Sequence, residues 1–230
     1  MCFFAWLALH LGHDHCEDLI EFWESNSAKT TKEQFVNRLM IMWINAVNKG
    51  FIPTINHSPS STFSEAMAKI ATAGLRPEFS DLKELLTMHA DFNKMDEFKG
   101  KAPVLVLGAC NILSGRLTKF SSYNEVIQPE HLMASACIPN LFPAVEIGQQ
   151  AYWDGLFSDN PPIDVLIKKP IVGPFVPDEI WVIKINPTTT DHIPTEISEI
   201  NDRRNQLEGN ISLFQNLGQI EFLNLLFDQG

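Results

Sequence analysis

PEHLMASACIPNLFPAVEIGQQAYWDGLFSDNPP, residues 129–162, changes its periodicity twice within one short run. Pro129 suits the first turn of a helix and Pro139 cannot continue one, so the stretch opens on a short helix. Phe142-Pro143 then leads into an alternating segment, Gly148-Gln149 reverses the chain, and a second strand brings Tyr152 and Trp153 up to Asp154-Gly155. Asn160-Pro161 marks the exit. On its own an Asp-Gly step after a strand is an ordinary turn.

Reading outward, KAPVLVLGAC at 101–110 is a continuous apolar run with the character of a fully buried strand. NILSGRLTKFSS follows it as a hairpin about Ser114-Gly115, and DEIWVIKINP at 178–187 reads as a further strand ended by Asn-Pro. The remainder is helical. Residues 2–25 read as one helix, and Thr31 can cap a second one that ends at Gly50. In that second helix Phe35, Leu39, Met42, Trp43 and Ala46 recur at threes and fours, which predicts a wide buried stripe. After the proline- and serine-rich link FIPTINHSPSST come SEAMAKIATAG and SDLKELLTMHADFNKM, with Ser64, Ser80 and Asp81 as capping candidates, and a long amphipathic tail helix spans 202–228. Strands set among helices predict an α/β fold. Residues 1–230 then form one domain: a helical cap-like region at 32–100, a strand-rich core at 101–190 and the tail helix.

The totals bound the function. At 230 residues with 45% hydrophobic and 20% charged side chains, the chain can bury a sizeable core. A formal charge of -11 argues against nucleic acid, whose phosphates are bound by neutralising Lys and Arg, so a lipid surface would be met through apolar contacts. Cysteines 2, 16, 110 and 137 form no C-x-x-C, which favours free thiols in a reducing compartment and a cytoplasmic location, with peripheral membrane contact allowed. The apolar opening MCFFAWLALHL lacks a preceding basic residue and is too short to span a bilayer, so it reads as a buried helix.

HLGHDHC gathers His10, His13, His15 and Cys16, all potential zinc ligands, but no second pair with matching spacing occurs. Two readings stand, a solvated helix end and a metal-binding regulator; the former predicts no metal. No G-x-G and no G-K-[ST] occurs, which disfavours nucleotide binding, and no cofactor is expected. There is also no G-x-S-x-G elbow, the nearest approach being ILSGR at 112–116.

The quoted stretch resembles the C-terminal signature of the patatin-like phospholipases (patatin-like acyl hydrolases), roughly A-S-x-A-x-P, F-x-P, a strand, D-G-[GA] and N-x-P. Ala134, Ser135, Ala136, Pro139, Phe142, Pro143, Asp154, Gly155, Asn160 and Pro162 fall on that pattern in order. Leu156 departs from it, since a small residue is usual there. The resemblance implies a layered domain with a central, mainly parallel sheet flanked by helices. It also implies hydrolysis of a fatty acyl ester of phospholipid or glycerolipid through a serine–aspartate dyad, without metal.

Asp154 is implied as the base, supported by Gly155, Asn160 and Pro161. A serine hydroxyl is a poor nucleophile until a positioned base accepts its proton. The elbow serine and the glycine-rich oxyanion loop of the family have no counterpart here, and CFFAWLALHLG resembles the helix that the serine heads. Met1 is therefore expected to fall a few residues past the serine, leaving the base without its nucleophile and the fragment inactive. Ser135, Ser114 and His131 offer no substitute. The alternative is a non-catalytic module that keeps the fold and binds lipid or a protein partner.

Overall fold

In the computed structural model the described residues are 2–49, 51, 58–139, 141–159 and 161–229, with the side chains of His15, Cys16, Asn48 and Gln229 set aside. The expected helix stop at Gly50, half of the link (52–57) and Asn160 lie outside them. The helices are α1 (Cys2–Leu11), α2 (His15–Ser25), α3 (Thr31–Asn48), α4 (Thr62–Thr72), α5 (Pro77–Ser80), α6 (Leu82–His89), α7 (Pro129–Ala134), α8 (Lys169–Val172) and α9 (Ile197–Gln229). Four strands, β1 (Val106–Asn111), β2 (Leu117–Ser121), β3 (Val145–Ile147) and β4 (Gln150–Asp154), form one sheet in the order β2-β1-β4-β3. The fold is mixed helix and sheet.

That sheet is small and antiparallel throughout, not the mainly parallel sheet expected. Short connections account for two of its three pairings. β1 passes to β2 through residues 112–116, where Gly115 has φ +68°, and β3 passes to β4 through Gly148 at φ +63°. Links this short can only return a strand antiparallel, because a parallel pair needs a crossover of about a dozen residues or more. β1 is an inner strand as expected, but it starts only at Val106 and is half-buried over Val106 to Gly108 instead of fully buried; it pairs β2 on one side and β4 on the other, with Ala109 opposite Asp154.

The main core is built by α1, whose Phe3, Phe4, Trp6 and Leu7 pack with Leu85 and Leu86 of α6, Met95 and Phe98 of the 3-10 segment Phe92–Phe98, Leu105 and Ile127. Phe3 stacks on Phe92 with ring centroids 5.6 Å apart, and the Trp6 indole donates to the Pro103 carbonyl over 2.8 Å. The apolar opening is thus a buried helix. A smaller cluster of Ala109, Phe120, Ala134 and Tyr152 joins α7 to the sheet.

Several boundaries differ from the sequence reading, each for a local reason. Residues 2–25 form two helices because Gly12 takes φ +71°, and the amides of Gly12 and His13 both close on the Ala8 carbonyl. The cap of α3 is Thr30, one residue early: its hydroxyl accepts from the Glu33 amide while Glu33 Oε2 accepts from the Thr30 amide, a reciprocal capping box. Ser61 and Asp81 cap α4 and α6, so Ser64 and Ser80 do not.

Two corrections are larger. The apolar stripe of α3 is not buried, and Phe35, Leu39, Met42 and Trp43 are all exposed. Residues 178–187 form no strand: Trp181, Ile183 and Ile185 are 85%, 92% and 93% exposed. A strand requires a neighbour to take its amides and carbonyls, and no described strand lies alongside this one.

Candidate active site

Asp154 closes β4. Its amide donates to the Cys137 carbonyl over 2.8 Å, tying the end of the strand to the loop that follows α7. Its carboxylate Oδ1 accepts from the Leu156 amide at 2.9 Å and so caps the 3-10 turn Gly155–Phe157. No described residue bonds Oδ2, which remains to accept a proton. The side chain is half-buried, and that burial pushes the carboxyl above its ordinary value, opposed only by the Leu156 hydrogen bond. A carboxylate whose affinity for protons is raised is a better base near neutral pH than an exposed one.

Gly155 is required for space. Its backbone is not left-handed, but a Cβ there would stand 2.8 Å from the Gly108 carbonyl oxygen and 3.0 Å from its carbon. The turn after Asp154 therefore rests directly on the backbone of β1. Leu156, the departure from the family pattern, is exposed and serves the site through its amide, which any residue other than proline supplies.

The exit is held from a distance. Asn216 on α9 donates to Asp159 Oδ1 at 3.2 Å and to the Pro161 carbonyl at 3.1 Å. Pro161 and Pro162 then lead into the 3-10 segment Ile163–Ile167. Asn160, the remaining supporting residue, is outside the described residues.

Asp154 opens onto a cavity of about 530 Å³, within the size range of small-molecule sites. Cys2 and Phe3 at the start of α1, Val106 to Gly108 of β1, Leu132 of α7 and its C-cap Ser135, Pro161 to Ile163 and residues 180–183 line it. Its walls are mainly apolar, with Asp154, Ser135 and Asp159 as the polar side chains that carry oxygen. The start of the chain's first helix, the Ala-Ser segment and the Asp-Gly turn, far apart in sequence, thus meet at one site.

The other singled-out residues fall elsewhere. Ser135 shares the cavity but ends α7, with its amide donating to the His131 carbonyl. His131 is buried against Phe120, ring centroids 4.3 Å apart, and its Nδ1 accepts from the Gln128 amide; burial lowers its pKa, so it serves α7 as a neutral cap. Ser114 belongs to the β1–β2 turn, where Asn111 Oδ1 accepts from its amide. His10 stacks on Phe98 at 4.7 Å with Nε2 3.1 Å from the Pro103 carbonyl oxygen, so it is part of the packing around α1; His15 and Cys16 contribute no described side chain.

Sequence reasoning passed over Cys137, Cys2 and Asn216. Cys137 sits inside the quoted run, directly after Ala136, and its thiol also donates to the Pro143 carbonyl at 3.0 Å, so it joins both halves of the motif. Cys2 was visible as the polar start of an apolar helix. Nothing local distinguishes Asn216, whose partners lie more than fifty residues earlier.

No curated protein and no solved structure matches the chain. The sequence model of one family, described as patatin-like phospholipase, matches residues 5–167. That span runs from within α1 through β4 and the Asp154-Gly155 turn to the end of the 3-10 segment Ile163–Ile167, and takes in the residues that line the cavity apart from Cys2, Phe3 and residues 180–183. The chain belongs to the patatin-like phospholipase family.

Proposed function

We propose that Asp154 is the proton acceptor of a serine–aspartate dyad that hydrolyses fatty acyl esters of phospholipid or glycerolipid through an acyl-enzyme. The observation that carries the reading is the position of one half-buried carboxylate, with a free oxygen and a raised pKa, in the wall of an apolar cavity. In such a site the carboxylate takes the hydroxyl proton as the serine attacks the ester carbonyl, and the departing alcohol recovers a proton. The apolar walls accommodate the acyl chain. Membership of a family of lipid acyl hydrolases supports this assignment.

These 230 residues contain no G-x-S-x-G, so the dyad is complete only with a serine they do not supply. They therefore turn over no ester by themselves. The test adds a β-strand, a glycine-rich oxyanion loop and a G-x-S-x-G elbow ahead of Cys2. Ester hydrolysis and fluorophosphonate labelling are expected to appear only in the extended protein, and Asp154→Asn to lower that hydrolysis by ~10²–10⁴. Hydrolysis by the 230 residues alone, abolished by replacing Ser135, overturns the reading.

The missing elbow also favours a second reading, a module that binds an acyl chain in the cavity without hydrolysing it. Saturable fatty-acid binding together with an extended protein that stays inactive selects that alternative.

A further inference from the structure

From Leu39 to Asn45, nearly two full turns of α3, every residue is exposed, which places apolar side chains on all sides of the helix. Leu39, Met40, Ile41, Met42, Trp43 and Ile44 are each between 48% and 67% exposed. A helix apolar around its whole girth belongs in an apolar surrounding, yet among the described residues the side-chain bonds that tie α3 to later elements come from its N-terminal turn, Lys32 to the Ala73 carbonyl and Glu33 to Arg76. The charges complete the pattern. In a protein of formal charge -11, the exposed charges of α3 and of its C-cap are Lys32, Arg38 and Lys49; the one acid, Glu33, is fully buried and paired with Arg76. An apolar cylinder fringed by cations matches hydrocarbon beneath a layer of phosphates.

We propose that α3 is an interfacial helix that lies within the headgroup boundary of a phospholipid monolayer, its apolar girth among the acyl chains and its cations at the phosphates. A second copy of the chain fits less well, because a two-fold contact covers one side of the helix and leaves the other in water. No helix among the described residues is long and apolar enough to cross a membrane, which agrees with a helix that lies in the surface. The inference goes beyond the ester-hydrolase reading and does not depend on Asp154.

The experiment is flotation of the purified chain with vesicles of ether-linked phosphatidylcholine, which carries no acyl ester, so binding is read apart from hydrolysis. The chain is expected to float with the vesicles. The double variant Met40→Glu/Trp43→Glu is expected to lose binding by tenfold or more, with unchanged circular dichroism because both side chains are exposed. A chain that stays in the bottom fraction overturns the proposal, as does a variant that floats equally well. Light scattering that finds a dimer converted to monomer by the same variant also overturns it, by assigning the helix to a second copy.

Discussion

Gly155 lies against Gly108 so closely that the smallest side chain on the first would stand 2.8 Å from the carbonyl oxygen of the second. The contact fixes the turn that follows the proposed base on the one element that cannot yield, the backbone of a strand hydrogen-bonded on both sides. Gly155→Ala must therefore move the turn, and with it Asp154. The expected cost is about 1–3 kcal/mol of stability, read by urea denaturation, as for other overpacked sites. A substitution that leaves both stability and the Asp154 environment unchanged would remove the reason given for this glycine.

Burial raises the Asp154 carboxyl above its ordinary value, so the folded chain holds that proton more tightly than the unfolded chain does. Stability from this group is present at low pH. It is lost as pH rises from the ordinary carboxylate range through the raised folded value, and is level above it. Asp154→Asn keeps an oxygen for the Leu156 amide but cannot ionise. The variant should thus gain on the natural chain as pH rises through that window, in a pH series of denaturation curves. A difference independent of pH, or one of opposite sign, would show that the carboxylate is not desolvated.

Glu33 and Arg76 present the reverse case. Hydrogen bonds from Arg76, ahead of those from the Thr30 and Lys29 amides, hold the Glu33 carboxyl at about 2. The Arg76 guanidinium also donates to the Ser25 and Ser27 carbonyls and to Glu78, so one side chain ties the end of α2, the start of α3 and α5 together. With a depressed folded value, the stabilisation is complete above the ordinary carboxylate range and disappears as pH falls toward about 2. Arg76→Met should weaken that acid dependence, since the Thr30 and Lys29 amides still bond Glu33, and lower the melting temperature at pH 7 by more than Lys83→Met, whose partner Glu130 is bonded at the surface. Equal losses would reduce the network to an ordinary surface pair.

What could be read from residues alone follows the range over which each feature is determined. The hairpins were legible because Gly115 and Gly148 carry the needed backbone conformation within the segments they connect. Asp154-Gly155 was legible as a motif, although the reason for its glycine was not: a turn explains it locally, whereas the contact is with a strand nearly fifty residues earlier. Gly12 could have been read as a break, had its left-handed tendency been weighed against the apolar period on both sides. Periodicity failed for α3 because it registers that a helix avoids water and not what covers it. It failed again at 178–187, where an apolar alternating run describes a strand's surroundings without supplying a partner.

That last segment yields a direct measurement. Residues 180–183 wall the cavity, yet among the described residues no backbone hydrogen bond joins residues 180–185 to any other segment, whereas Leu107 to Cys110 lie inside the β2-β1-β4 ladder. Amides held in a ladder exchange only when it opens, and unpaired amides exchange as in an open chain. Hydrogen exchange read by mass spectrometry should find 180–185 fully exchanged at the earliest times while the peptide containing Leu107 to Cys110 stays protected for orders of magnitude longer. Protection of 180–185 in the isolated chain would mean that its apolar alternation has found a strand to pair with. The wall of the cavity would then be a sheet edge instead of an open segment.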